Sequence, residues 1–157
     1  MDLRIAVVGA NFDERHMLAK QLSERYKLPL IAEQKDMFRR VLESKKGEFA
    51  KDMLNAQIRK QLFFTEGFVS NGCTLDYVVM TKIALELADK NTASVPELLR
   101  ARLHTVRQVD KVIYVPLSIH EKVELIRKYD AYLKAELNLI SERVKVETAR
   151  TWAATAR

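Results

Sequence analysis

Among its 157 residues the chain has one cysteine, three prolines, four glycines and one tryptophan. A lone Cys73 excludes an internal disulfide, and no metal-ligand cluster surrounds it. That usage fits a reducing compartment, so a cytoplasmic location is expected and no metal site is assigned. With so few glycines and prolines there is no linker and no low-complexity segment, and long helices with short joints are expected. No apolar run approaches the ~20 residues that cross a bilayer, so no membrane partner is expected. The opening stretch MDLRIAVVGA has an acid at position 2 and a short apolar run, which suits a first strand better than a signal peptide. Runs of five or six like charges, which mark interaction tails, are also missing.

What is present points to a globular domain. Hydrophobic residues make up 48% of the chain and charged residues 31%, enough for one cored domain spanning 1–157. The formal charge of +6 suits phosphate-bearing partners, nucleotide or nucleic acid. The basic residues are spread along the chain and no DNA-reading motif appears, so most of them are expected to lie on solvated helix faces. Nucleic acid stays open as a partner without being favoured.

Strand and helix patterns alternate. LRIAVVG (Leu3 to Gly9) is a short run with β-branched residues that ends in glycine, as in a strand buried on both faces. A helix follows with Asp13 as its expected cap and Met17, Leu18 and Leu22 at helical spacing. LPLIAEQ (Leu28 to Gln34) predicts a second strand, and two helices are expected at 35–44 and 47–65. GFVSNG (Gly67 to Gly72) predicts a third strand, and Thr74 is expected to cap the next helix. A helix from Thr92 to Gln108 has Pro96 near its first turn. KVIYVPLS (Lys111 to Ser118) predicts a fourth strand, residues 120–142 are mostly helical, and VKVET (Val144 to Thr148) predicts a fifth strand before a tail. This alternation calls for an α/β fold, a three-layer, doubly wound and mostly parallel sheet. Ligands in such sheets lie beyond the carboxyl ends of the strands, here after Val8, Ala32, Val69, Val115 and Val146.

After Val8 comes GANFDERH. A phosphate-binding loop has glycine, four residues, then Gly-Lys-Ser/Thr: its backbone amides wrap the phosphates, the lysine reaches the terminal phosphates, and the hydroxyl holds magnesium. Gly9 fits the first position. Glu14, Arg15 and His16 occupy the last three. A glutamate puts a negative side chain where anions should collect, and together with Asp13 it suits an unoccupied helix N-terminus. Arg15 keeps a positive charge in a bulkier shape, and His16 offers no hydroxyl.

On this order of elements, with IAEQ after the second strand, the stretch QIRKQLFFTEGFVSNGCTLDYVV and the strand VIYVP before a basic segment, the chain resembles P-loop kinases of the nucleoside and nucleotide type. These are close to the small AAA-type P-loop domains common in bacteria and phages. The resemblance spans nearly the whole chain. It implies a P-loop NTPase fold, with Gly9, Ala10, Asn11, Arg15 and His16 at the cofactor position. It implies Glu33 as the base that takes a substrate hydroxyl's proton and Arg127 as a lid arginine that neutralises the transferred group. If the site is active, ATP and magnesium are the cofactors. The family's Asp-Arg pair after the third strand stands here as Asn71-Gly72, while Leu75, Asp76 and Tyr77 match. Asp76 is expected to cap its helix.

Other candidates have plainer readings. Arg100, Arg102 and Arg107, and His120, Lys122 and Lys128 of the lid segment, are expected on solvated basic faces. Cys73, near a helix N-terminus, could have a lowered thiol pKa. Phe63, Phe64, Phe68 and Tyr77 are expected in the core rather than as a base-stacking platform. Three functions follow. The first is a degenerate kinase-like protein without phosphotransferase activity, which acts by binding a protein partner or a nucleotide. The second is an active ATP-dependent nucleoside or nucleotide kinase with an unusual loop. The third is a nucleic-acid-binding module. The substrate, the partner and the oligomeric state are not legible.

Overall fold

The computed structural model describes residues 3–32, 38–40, 48–87 and 96–149. Five strands, β1 (Arg4–Val8), β2 (Leu30–Ile31), β3 (Phe68–Asn71), β4 (Lys111–Tyr114) and β5 (Lys145–Thr148), form one sheet in the order β2-β3-β1-β4-β5. Every pairing is parallel. The described helices are α1 (Phe12–Tyr26), α2 (Glu48–Phe63), α3 (Thr74–Leu87), α4 (Pro96–Gln108) and α5 (Glu124–Ile140). Residues 38–40 are also helical.

β1 lies at the centre of the sheet, and its alternation builds two cores. Ile5 and Val7 face α1, packing with Leu18, Ala19, Leu22, Val69 and Ile113. Ala6 and Val8 point to the other face, among Leu75, Val78, Val79 and Ile83 of α3 and Tyr129, Leu133 and Leu137 of α5. Adjacent strand residues point to opposite faces, so a run apolar at every position is buried twice, as a parallel sheet requires. The expected three-layer, doubly wound sheet is therefore present.

Several local expectations change. β2 pairs over two residues only, Leu30 and Ile31, and Glu33 and Gln34 lie outside the described residues. β4 ends at Tyr114 and α5 begins at Glu124, so the lid segment up to Val123 is non-helical. Residues 92–95, most of the 35–44 helix and the tail after 149 also lie outside the described residues. Phe68 and Tyr77 are buried as expected, but Phe63 is 77% exposed at the end of α2, with Phe64 packed edge-on against it.

Gly9 is held by packing. A Cβ there would lie 2.7 Å from the carbonyl oxygen of Val115, backbone that cannot give way. The glycine lets the chain leaving β1 pass against the chain leaving β4.

Candidate functional site

Only Gly9, Ala10 and Asn11 separate β1 from α1. The helix starts at Phe12, inside the stretch that a phosphate loop would leave irregular. Asn11 is the reason, and it replaces the expected Asp13 as cap. Its side-chain oxygen accepts the Glu14 amide at 3.1 Å and its carbonyl accepts the Arg15 amide at 3.0 Å, so two of the amides a phosphate would use are already bonded. Asp13 and Glu14 project into solvent and complement the helix dipole there.

Arg15 points inward and its side chain is fully buried. Its Nε donates to Asn71 Oδ1 at 2.9 Å, and its Nη1 donates to Asp76 Oδ1 at 2.9 Å and to the Gly9 carbonyl at 3.3 Å. Asp76 is buried as well. Its Oδ1 accepts the Tyr129 hydroxyl and its Oδ2 accepts the Cys73 amide at 2.8 Å. The last bond is the capping role expected of Asp76, the backward half of a capping box. The ion pair with Arg15 adds a second role that sequence spacing does not reveal. Gly72, with φ at +93°, makes room for the pair: a Cβ would lie 2.8 Å from Asp76 Oδ2 and 3.4 Å from Arg15 Nη2.

Aromatic rings cover this cluster. The guanidinium lies 4.7 Å from the centre of the Phe12 ring, a stacking contact suited to its planar cation. Phe12 meets Tyr129 edge-on at 5.5 Å, and Phe38 meets Tyr129 at 5.2 Å. The loop is thus closed by the chain's own side chains. The enclosed charges, Arg15 and Asp76, cancel, and the exposed ones, Asp13 and Glu14, are negative.

The other expected site residues are placed as follows. Gly9, Ala10 and Asn11 make the turn itself. His16 is exposed, and its Nδ1 lies 3.3 Å from Asn71 Nδ2, which donates to it when that ring nitrogen is unprotonated. Arg127 lies exposed in the first turn of α5; Tyr129, two residues later, is the member of that helix that reaches the cluster. Glu33 lies outside the described residues. Among the described residues, no group of three histidines, cysteines or carboxylates could hold a metal ion. Cys73 does not have a lowered pKa: burial pushes its thiol up to about 12, and the Asp76 carboxylate adds to the rise. Thr74 begins α3 rather than capping it, and its hydroxyl bonds the Ala101 carbonyl at 2.8 Å and the Thr105 hydroxyl.

Sequence reasoning missed Phe12, Phe38 and Tyr129. Only the need of a buried Asp76 for additional donors could have suggested a tyrosine, and nothing local said which one.

A second charged cluster lies among α3, α4 and α5. Glu136 is fully buried and accepts from Lys82 Nζ at 2.7 Å and from Arg102 Nε and Nη2 at 2.6 and 2.8 Å. Burial alone would raise its pKa, but the bonds from Arg102 and Lys82 hold it below the usual carboxylate range. Arg102 is therefore a structural clamp and not the solvated residue expected. Lys128 pairs with Glu86 at 2.8 Å.

No helix among the described residues is long and apolar enough to cross a membrane. No protein-family model and no curated sequence matches the chain. A solved structure is similar: that of a deoxyadenosine kinase from M. mycoides with dCMP and a flexible dCDP bound. Its TM-score is 0.67 and its identity 14%, over 93% of this chain and 88% of that one. At that identity the likeness concerns the fold, and this chain has an α/β, doubly wound, P-loop NTPase-like architecture.

Proposed function

We propose that the chain keeps the architecture of the nucleoside and nucleotide kinases but acts by binding, to a protein partner or to a nucleotide, and transfers no phosphoryl group. The observation that carries this reading is the buried Arg15–Asp76 pair. Phosphoryl transfer depends almost wholly on positioned positive charge around the phosphates. The one cation at the loop's lysine position is instead bonded to Asp76, Asn71 and the Gly9 carbonyl. The residues present do not fit magnesium and ATP in the usual way. Residue 16 has no hydroxyl, the amides of Glu14 and Arg15 are bonded to Asn11, and two acids face outward at the helix start.

A second reading, an active ATP-dependent kinase, is favoured by the likeness to a deoxyadenosine kinase over nearly the whole chain. It requires Arg15 to leave Asp76 and turn outward, with Glu33 as base and Arg127 on the phosphates. The likeness speaks for the fold, and the chemistry is decided at the loop, so the first reading is preferred. Incubation with ATP, magnesium and a panel of nucleosides and nucleotides, followed by chromatography, separates the two. No phosphorylated product above the protein-free blank is expected. Turnover that disappears in Glu33→Gln would establish the kinase.

A further inference from the structure

The helical face of α2 and α4 carries a groove that the loop does not use. It has a volume of about 330 Å³ and runs between Ile58 on α2 and Leu99, Leu103, Arg100, His104 and Arg107 on α4. Leu99 is 57% exposed, and Leu62, one helical turn beyond Ile58, is 53% exposed. The groove therefore has an apolar floor open to solvent. Among the described residues its polar lining is Arg100, Arg107 and His104, with no carboxylate. Burial, with the charge of Arg100 as the lesser cause, pushes the His104 pKa down to about 4, so at neutral pH the positive charge of the groove comes from the two arginines. His104 is held on its inner side by Gln61 at 2.7 Å, which fixes the wall rather than closing the groove.

We propose that this groove is the docking site for an acidic amphipathic helix of a partner protein. Charge complementarity selects the occupant: leucines set between guanidinium groups match a ridge of apolar residues flanked by glutamates or aspartates. From Pro96 to Arg107 the α4 wall rises about 16 Å at 1.5 Å per residue, the length of roughly three helical turns. A second copy bound through the same face would set arginines against arginines across the two-fold axis. Nucleic acid would find a single ring in this lining, that of His104, already tied to Gln61, where stacking platforms present several free ones. A membrane surface would need a protruding apolar face rather than a concave one. This deepens the reading that the chain acts by binding a protein, since it names the face and the chemistry of the partner.

The test is fluorescence anisotropy of the full chain with a labelled synthetic peptide of about three to four turns. The peptide carries leucine at i, i+4 and i+7 and glutamate at the flanking positions. Controls are a scrambled peptide of the same composition and a version with lysine for glutamate. The acidic peptide should bind at least tenfold tighter than the scrambled one, and its affinity should fall at least tenfold in R100E/R107E. That variant should in turn prefer the lysine peptide, and both substitutions lie on exposed positions, away from the core. Equal binding of the acidic and scrambled peptides overturns the proposal, as does an R100E/R107E variant that binds the acidic peptide as the parent does. A dimer in sedimentation that Leu99→Arg dissociates would assign the face to self-association and also overturn it. ATP turnover by the same preparation would refute the non-catalytic reading without touching the peptide result, so the two can fail separately.

Discussion

Asp76 and Glu136, two of the buried carboxylates among the described residues, are answered in different ways. Asp76 lies at the carboxyl end of the sheet, where the fold directs ligands, and its cation Arg15 is as deeply buried as the acid itself. Glu136 lies among the helices, and its cations Lys82 and Arg102 retain 25% and 28% of their side-chain exposure. In the helical cluster the charge remains in touch with water. In the loop cluster both charges, a tyrosine and an asparagine satisfy one another and a ring lies over them. The difference separates a clamp that ties helices together from a sealed cluster whose charges answer one another.

Breaking the sealed cluster should have the larger effect. Arg15→Met leaves Asp76 as an uncompensated buried charge, a loss of about 3–5 kcal/mol, which is a melting decrease of roughly 10 °C for a chain of this size. Adding Asp76→Leu should recover part of that loss, because a pair replaced by apolar groups costs less than a broken one. A single Arg15→Met that costs under ~1 kcal/mol in urea unfolding would show that the pair does not anchor the site. Glu136→Gln should cost less, about 1–2 kcal/mol, because Lys82 and Arg102 can turn to solvent. If it costs more than Arg15→Met, the contrast between the clusters is wrong.

The sequence and the structure agree where information is local. The apolar run from Ile5 to Val8 of β1 foretold a central strand buried on both faces, and the alternation of elements foretold the layers. β2 was overextended because its length depends on how far β3 runs beside it, which no window of residues 28–34 contains. At the site, the misfit of Glu14, Arg15 and His16 with a phosphate loop was legible from residue type. Where Arg15 goes was not, because its acceptors at 71 and 76 and the ring at 129 are brought together only by β3, α3 and α5. The early start of α1 was missed because Asp13 and Asn11 are both good caps, and only the amide geometry chooses between them.

The pH dependence of stability sharpens the comparison further. His104 has a folded pKa of about 4, below its ordinary 6.5, so folding favours the neutral ring. Its contribution is present above the unfolded pKa of 6.5 and is lost as pH falls toward 4, because the unfolded chain then binds the proton more readily. Glu136, also lowered, contributes above the ordinary carboxylate pKa and loses that contribution as pH falls below it. Thermal melts should therefore drop first between pH 6.5 and 4 and continue to drop in stronger acid. His104→Gln should flatten the first drop and leave the second. An unchanged slope in that variant would place the acid sensitivity elsewhere. The smallest effect belongs to Arg127→Ala: at an exposed position, stability should move by no more than about 0.5 kcal/mol, and heat-denaturation curves should nearly superimpose.

The most direct measurement is the thermal shift of the wild-type protein with millimolar ATP, with and without magnesium. A closed loop, its Glu14 and Arg15 amides bonded to Asn11 and its cation bonded to Asp76, predicts no magnesium-dependent saturable stabilisation. A ligand present at a hundred times its dissociation constant adds about 2.7 kcal/mol. A magnesium-dependent shift of that size, saturating with ATP, would contradict the closed loop and return the chain to the active kinases.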